Sequence, residues 1–173
     1  MPLKKPTALP KIPKTRKKKA QSALKAIPQK KPDKIEYYCK ALFKYDEKKD
    51  LQFCVFAIET VAEFISFVYE VSVDVVKEKK EIFIVLMGLR AMPNLAPKVQ
   101  PARTEINFED LLGEYRVNVV KQDGSINSAI YKFNIYKKEI LLLDEFKPKK
   151  KNNRLFCKFL VADEEFSFSP KLY

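Results

Sequence analysis

Twelve of the first 34 residues are Lys or Arg, and Asp33 is the one acid among them. The same stretch holds six of the eleven prolines: Pro2, Pro6, Pro10, Pro13, Pro28 and Pro32. Proline interrupts helices, like charges repel, and few apolar side chains are left to bury. Residues 1–34 therefore cannot build a core. They predict an extended basic arm, disordered when free, with the stretch 20–27 able to form a turn or two of helix on a partner. The fold must come from residues 35–173.

The charge divides at the same place. The chain has 34 basic and 22 acidic residues, so removing the arm's twelve and one leaves 22 and 21. The arm thus carries +11 of the formal +12 and the body +1. A polycation of this density points to an anionic partner, because each lysine that meets a phosphate releases a bound counterion. The candidate contact residues in the arm are Lys4, Lys5, Lys11, Lys14, Arg16, Lys17, Lys18, Lys19, Lys25, Lys30 and Lys31. A second basic run, Lys149, Lys150 and Lys151, lies in a turn at 147–153 that could extend the same footprint. The competing reading of both elements is a solvated surface with no dedicated partner.

The body reads as one domain of ordinary size. Two strands at 35–43 and 51–58 flank a polar turn and predict a hairpin. Residues 60–77 are ambiguous. Val61, Phe64, Ile65, Val68, Val75 and Val76 fall at helical spacing, whereas Val71, Val73 and Val75 alternate. The helical spacing predicts one helix here, with its β-branched half departing from it. Residues 82–86 are apolar on both faces and predict a central, fully covered strand. Three prolines within 88–105 predict a long loop, and 109–112 a single helical turn. Asp123-Gly124 predicts a hairpin between strands at 114–120 and 129–136. A strand at 139–146 and a last hairpin at 154–162 and 165–169 complete the body. The fold class expected is α+β: mainly antiparallel sheet with one helix, preceded by the basic arm.

Several chemistries lose their usual carriers. There is no His in the chain, so Ser-His and Cys-His nucleophiles are excluded. The three cysteines, Cys39, Cys54 and Cys157, lack metal-site spacing and read as buried reduced thiols. The adjacent acids Asp144-Glu145 and Glu164-Glu165 would face opposite ways on strands and read as surface charges. No phosphate-cradling glycine loop is present. Most of the thirteen Phe and eight Tyr alternate with polar residues, the pattern of a core face rather than of base-stacking platforms. Tyr37, Tyr38 and Tyr45 are the aromatics expected at the surface. The expectation is a protein that is not an enzyme and takes no cofactor, metal or small-molecule substrate. No apolar run is long enough to span a bilayer, and the first residues lack the apolar centre of a secretory signal. The simplest location is cytoplasmic.

The order of elements resembles one family, a small peripheral protein of the green sulfur bacterial type I photosynthetic reaction centre. The matching stretches are Tyr37-Tyr38, Leu51-Gln52-Phe53 and Glu81-Ile82-Phe83-Ile84-Val85-Leu86. Beyond the proline-rich segment they continue with Asp110-Leu111, Tyr115, Val117, Asn118, Lys121 and Gly124, then Leu155-Phe156-Cys157 and Phe166. This chain differs in its more basic arm and in the additional turn at 147–153. The resemblance implies a non-catalytic accessory protein, peripheral to a membrane complex on its cytoplasmic face. Members of that family help hold an iron–sulfur protein and a bacteriochlorophyll antenna protein and help dock ferredoxin. The alternative is an RNA- or DNA-binding protein, such as a ribosome-associated one, whose arm contacts phosphates. A near-neutral body favours the first reading, since a nucleic-acid-binding body usually adds a basic face.

Overall fold

Beyond the arm, every second side chain shares one buried face. Cys39, Ala41 and Phe43 are buried on one face, as are Cys54, Phe56 and Ile58, and Ile82, Ile84 and Leu86. That period belongs to strands. The computed structural model describes residues 31–171. Nine strands occur among them: β1 (Tyr37–Asp46), β2 (Leu51–Phe64), β3 (Val68–Glu78), β4 (Glu81–Met92), β5 (Gln100–Phe108), β6 (Gly113–Lys121), β7 (Ile126–Asn134), β8 (Glu139–Phe146) and β9 (Cys157–Val161). A single 3₁₀ turn, Asp163–Glu165, follows β9.

The strands form two sheets, in the orders β5-β2-β1-β9 and β3-β4-β6-β7-β8. Both are mixed. β1 and β9 run parallel, as do β4 and β6, and the remaining pairs are antiparallel. The sheets face each other across one apolar core. Phe56 meets Tyr131 and Phe133 edge-on at 5.5 and 5.7 Å between ring centroids, and Phe43 meets Phe133 at 6.4 Å. Edge-to-face pairs of this kind add to the burial itself. Tyr131 crosses the core, its hydroxyl lying 2.9 Å from the Leu160 carbonyl and 3.2 Å from that of Cys39. One edge of the sandwich is closed where Thr104 Oγ donates to the Val71 carbonyl at 2.5 Å. At the other edge Glu145 accepts from the Phe159 amide at 2.7 Å. The outer face of β1 and β2 is also covered: Leu42, Val55 and Ala57 are buried with Ala162, against Phe166. An ion-pair network lies on that face. Arg103 reaches Glu59 at 3.1 Å and Glu165, and Lys40 reaches Glu59 at 3.2 Å.

The structure corrects the expected fold class from α+β to nearly all β. There is no α-helix among the described residues. β2 runs straight through 60–64, and after a bend at 65–67 β3 occupies Val68–Glu78. The alternating β-branched run Val71, Val73, Val75 decides the outcome, because such side chains crowd a helix but suit a pleated surface. The long loop expected at 88–105 is shorter. β4 extends to Met92 and β5 begins at Gln100. Pro101 fits there because β5 is an edge strand, with no partner on its far side. Residues 109–112 form no helical turn. The final hairpin is absent too: β9 pairs with β1 in parallel, and Ser167 instead donates its amide to the Phe43 carbonyl at 2.9 Å. β4 is central, with Ile82, Ile84 and Leu86 buried, but Phe83 and Val85 on its outer side are only half-covered. The expected hairpin around Asp123-Gly124 is present as β6–β7, with Gly124 at φ +82° and the Asp123 carboxylate accepting from the Ser125 amide at 2.9 Å.

Truncating the aromatic centre has a defined cost. Phe56→Ala is expected to lower stability by about 3–5 kcal/mol, read as a shift in the urea midpoint at unchanged slope. Tyr131→Phe keeps the ring and loses the inter-sheet hydrogen bond, so it is expected to cost about 1 kcal/mol. An equal loss for the two variants would contradict this account of the core.

Candidate interaction surface at the arm-bearing end

Strand direction decides which segments share an end of the sandwich. The pairing puts the starts of β1, β3, β5, β7 and β9 together with the ends of β2, β4, β6 and β8. This end therefore gathers residues 31–36, where the arm meets the body, with the connections 65–67, 93–99, 122–125 and 147–156. The last residues of the arm, 31–34, and the basic turn at 147–153, far apart in the chain, meet here.

Residues 31–36 are pinned along the approach to β9. The Lys34 amide donates to the Leu155 carbonyl at 2.9 Å and the Glu36 amide to the Phe156 carbonyl at 2.8 Å. Asp33 accepts from the Leu155 amide at 2.7 Å and pairs with Lys147 at 3.2 Å. Lys31 lies 3.9 Å from Asp123. Beneath them sits Arg154, whose side chain is only 3% exposed. It donates to both carboxylate oxygens of Glu36 at 3.0 and 3.3 Å, lies over the Phe156 ring at 5.6 Å, and approaches Asp123 at 3.7 Å. Among the described residues its Nε has no hydrogen-bond partner. Lys121 also binds Glu36. Burial pushes the Glu36 carboxyl upward, but the hydrogen bonds from Arg154 and Lys121 outweigh it and hold the group below its ordinary value.

Two asparagines fix the rest. Asn153, buried, donates to the Pro148 and Ile126 carbonyls at 2.7 and 2.9 Å and accepts from the Ile126 amide at 2.9 Å. Asn127, also buried, accepts from the Phe156 and Cys157 amides at 2.8 Å each and donates to the Arg154 carbonyl at 2.9 Å. Buried amides with their bonds satisfied hold a loop in one shape. The turn at 147–153 is thereby built rather than loose. Lys149, Lys150 and Lys151 stand on it, with Lys150 donating to the Gly124 carbonyl at 2.7 Å. Lys4, Lys5, Lys11, Lys14, Arg16, Lys17, Lys18, Lys19, Lys25 and Lys30 lie outside the described residues.

The ends differ in charge. Between the strands at the arm-bearing end, Lys31, Lys34, Lys98, Lys147, Lys149, Lys150, Lys151 and Arg154 face Asp33, Glu36 and Asp123, eight against three, or +5. At the opposite end the connecting residues 47–50, 79–80, 109–112, 135–138 and 162–171 hold seven bases and seven acids. A body of net charge +1 thus presents one basic end. The basic turn was legible as a lysine run. Arg154, Asn153, Asn127 and Glu36, which aim it, were not, because nothing in a single sequence distinguishes a buried Arg or Asn from an exposed one.

Groups that could do chemistry are engaged elsewhere. All three cysteines are free and buried. Burial pushes the Cys54 thiol up to about 12 and raises Cys39 and Cys157 as well. Glu145 holds β9, and Glu165 pairs with Arg103, whose hydrogen bond draws its carboxyl below the ordinary value. Tyr37 and Tyr38, expected at the surface, are half-buried in β1, as is Tyr45. A cleft of about 360 Å³ at the opposite end is lined by Asp50, Cys54, Glu109, Leu111 and Tyr136. Among the described residues no cluster of His, Cys, Asp and Glu could hold a metal ion, and no helix is long and apolar enough to cross a membrane. No family model, curated protein or solved structure matches the chain.

Arg154→Met keeps the aliphatic stem over Phe156 and removes the bonds to Glu36. It is expected to lower stability by about 1–3 kcal/mol at neutral pH. The Glu36 carboxyl titrates lower when folded, so its contribution is present above the unfolded value and vanishes as pH falls through the folded one. The gap between wild type and variant is therefore expected to close in acid. A gap that stays constant from neutral to acid pH would show that Glu36 is not the partner that matters.

Proposed function

We propose that the chain is a non-catalytic accessory subunit of a larger macromolecular assembly, seated by its arm-bearing end on an anionic surface. One observation carries this reading: residues 31–36 are fixed beside the turn at 147–153, so the arm and Lys149, Lys150 and Lys151 act from the same end. The charge of +5 in the connections there supports the orientation, because the field steers that end first toward negative charge. The arm, with ten bases and no acid in residues 1–30, supplies most of the attraction. The resemblance to the peripheral reaction-centre protein supports the same role, on the cytoplasmic side of a membrane complex. The nucleic-acid reading uses the same lysines and is favoured by their place on a rigid turn. Retention on RNA or DNA with a steep salt slope would establish it in place of the first.

Native purification at low ionic strength is expected to recover the full chain with its partners, and deletion of residues 1–30 to release it without changing its thermal midpoint. Recovery of the full chain as a free monomer would contradict the proposal.

A further inference from the structure

The arm-bearing end is apolar at its tips as well as basic behind them. The bend between β2 and β3 exposes Ile65 (70%) and Phe67 (44%), and the connection between β4 and β5 exposes Leu95 (49%) and Val99 (59%). The two segments are neighbours, because Val68 pairs with Met92 and Phe64 with Gln100. Beneath them Phe64 and Tyr69 stack at 4.8 Å, giving the tips a rigid base. The tips themselves carry little charge: the connections 65–67 and 93–99 hold Lys98 alone, while Glu63 is exposed at the end of β2 behind them and Glu70 is paired with Arg90. Exposed Ile and Phe on loop tips do not serve the core, and apolar side chains grouped on neighbouring tips mark a surface for a partner or a membrane.

We propose that these tips insert into the interfacial layer of an anionic lipid bilayer, with the arm and the turn at 147–153 contacting the headgroups. This rests on the reading that the basic end seats on an anionic surface, and names that surface. Two features select lipid over an acidic protein face. First, the order along the molecule fits a membrane. The Val61 amide donates to the Glu36 carbonyl, so Ile65 lies four residues further out than the start of the body, up to ~13 Å along the strand. Insertion of an apolar surface reaches roughly 5–10 Å into the boundary between headgroups and acyl chains. Leu86 pairs with Lys121 at the end of β6, and β4 runs on to Met92 while Lys150 stays beside Gly124, so the tips stand ahead of the lysine turn and each meets its preferred layer. Second, apolar side chains outnumber the exposed polar ones at the tips, which are Ser66, Asn94 and Lys98, and a fluid hydrocarbon accepts such a surface more readily than a polar protein face does. A basic segment alone binds such membranes weakly and reversibly, whereas a second, apolar signal gives stable attachment.

The test uses the full chain with three probes: vesicles of phosphatidylcholine, vesicles of phosphatidylcholine mixed with phosphatidylserine, and immobilised poly-glutamate. The chain is expected to sediment with the mixed vesicles and not with phosphatidylcholine alone. The double variant Ile65→Ser, Val99→Ser alters the two most exposed tips. It is expected to lower partitioning into the mixed vesicles by roughly tenfold or more, at unchanged urea midpoint and unchanged retention on poly-glutamate. Equal vesicle binding by wild type and double variant would overturn insertion of the tips. Retention on poly-glutamate without vesicle binding would overturn the lipid assignment and leave the anionic-surface reading standing. Failure to bind either anionic probe would remove both.

Discussion

Arg154 is the residue on which the arm-bearing end depends. A buried guanidinium is costly unless paired, and its pairing with Glu36 joins the start of the body to the segment leading into β9. Lys121 brings the end of β6, in the opposite sheet, to the same carboxylate. Asn153 and Asn127, both bonded to the backbone around Arg154, then fix the turn at 147–153 against the start of β7. One ion cluster thus settles where a polycation leaves the body and which loops flank it.

The sandwich supplies this cluster with a frame. Its core is filled by aromatic contacts between the sheets, and a tyrosine hydroxyl spans them. Both edges are tied, one by Thr104 and one by Glu145, and the outer face of β1 and β2 is covered by the C-terminal segment and an ion-pair network. At the ends, connections are free to carry exposed lysines and exposed aliphatic tips. Basic charge is in excess at the arm-bearing end, while bases and acids balance at the opposite one.

Local features of this fold were legible in the sequence and non-local ones were not. The Asp123-Gly124 turn and the strand-like apolar runs of β1, β2 and β4 identify themselves within a few residues. Residues 60–77 misled because Val61, Phe64, Ile65 and Val68 fit a helical stripe. In the structure Phe64 packs against Tyr69, while Val61 and Ile65 face solvent at and just beyond the end of β2. The parallel pairs β1–β9 and β4–β6 depend on partners more than a hundred and about thirty-five residues apart, and no local pattern specifies them. The candidate surface was half visible. A lysine run announces itself, but its alignment with the arm is a property of strand direction. The apolar tips look like ordinary strand residues until the bend at 65–67 is known.

Hydrogen–deuterium exchange on the full chain, with and without vesicles containing phosphatidylserine, tests the central claim most directly, because it reports which end is covered. Slowed exchange is expected in residues 65–67, 93–99 and 147–153, with residues 47–50 and 135–138 unchanged. Protection at 47–50 and 135–138 instead, or equal protection of both ends, would contradict docking by the arm-bearing end.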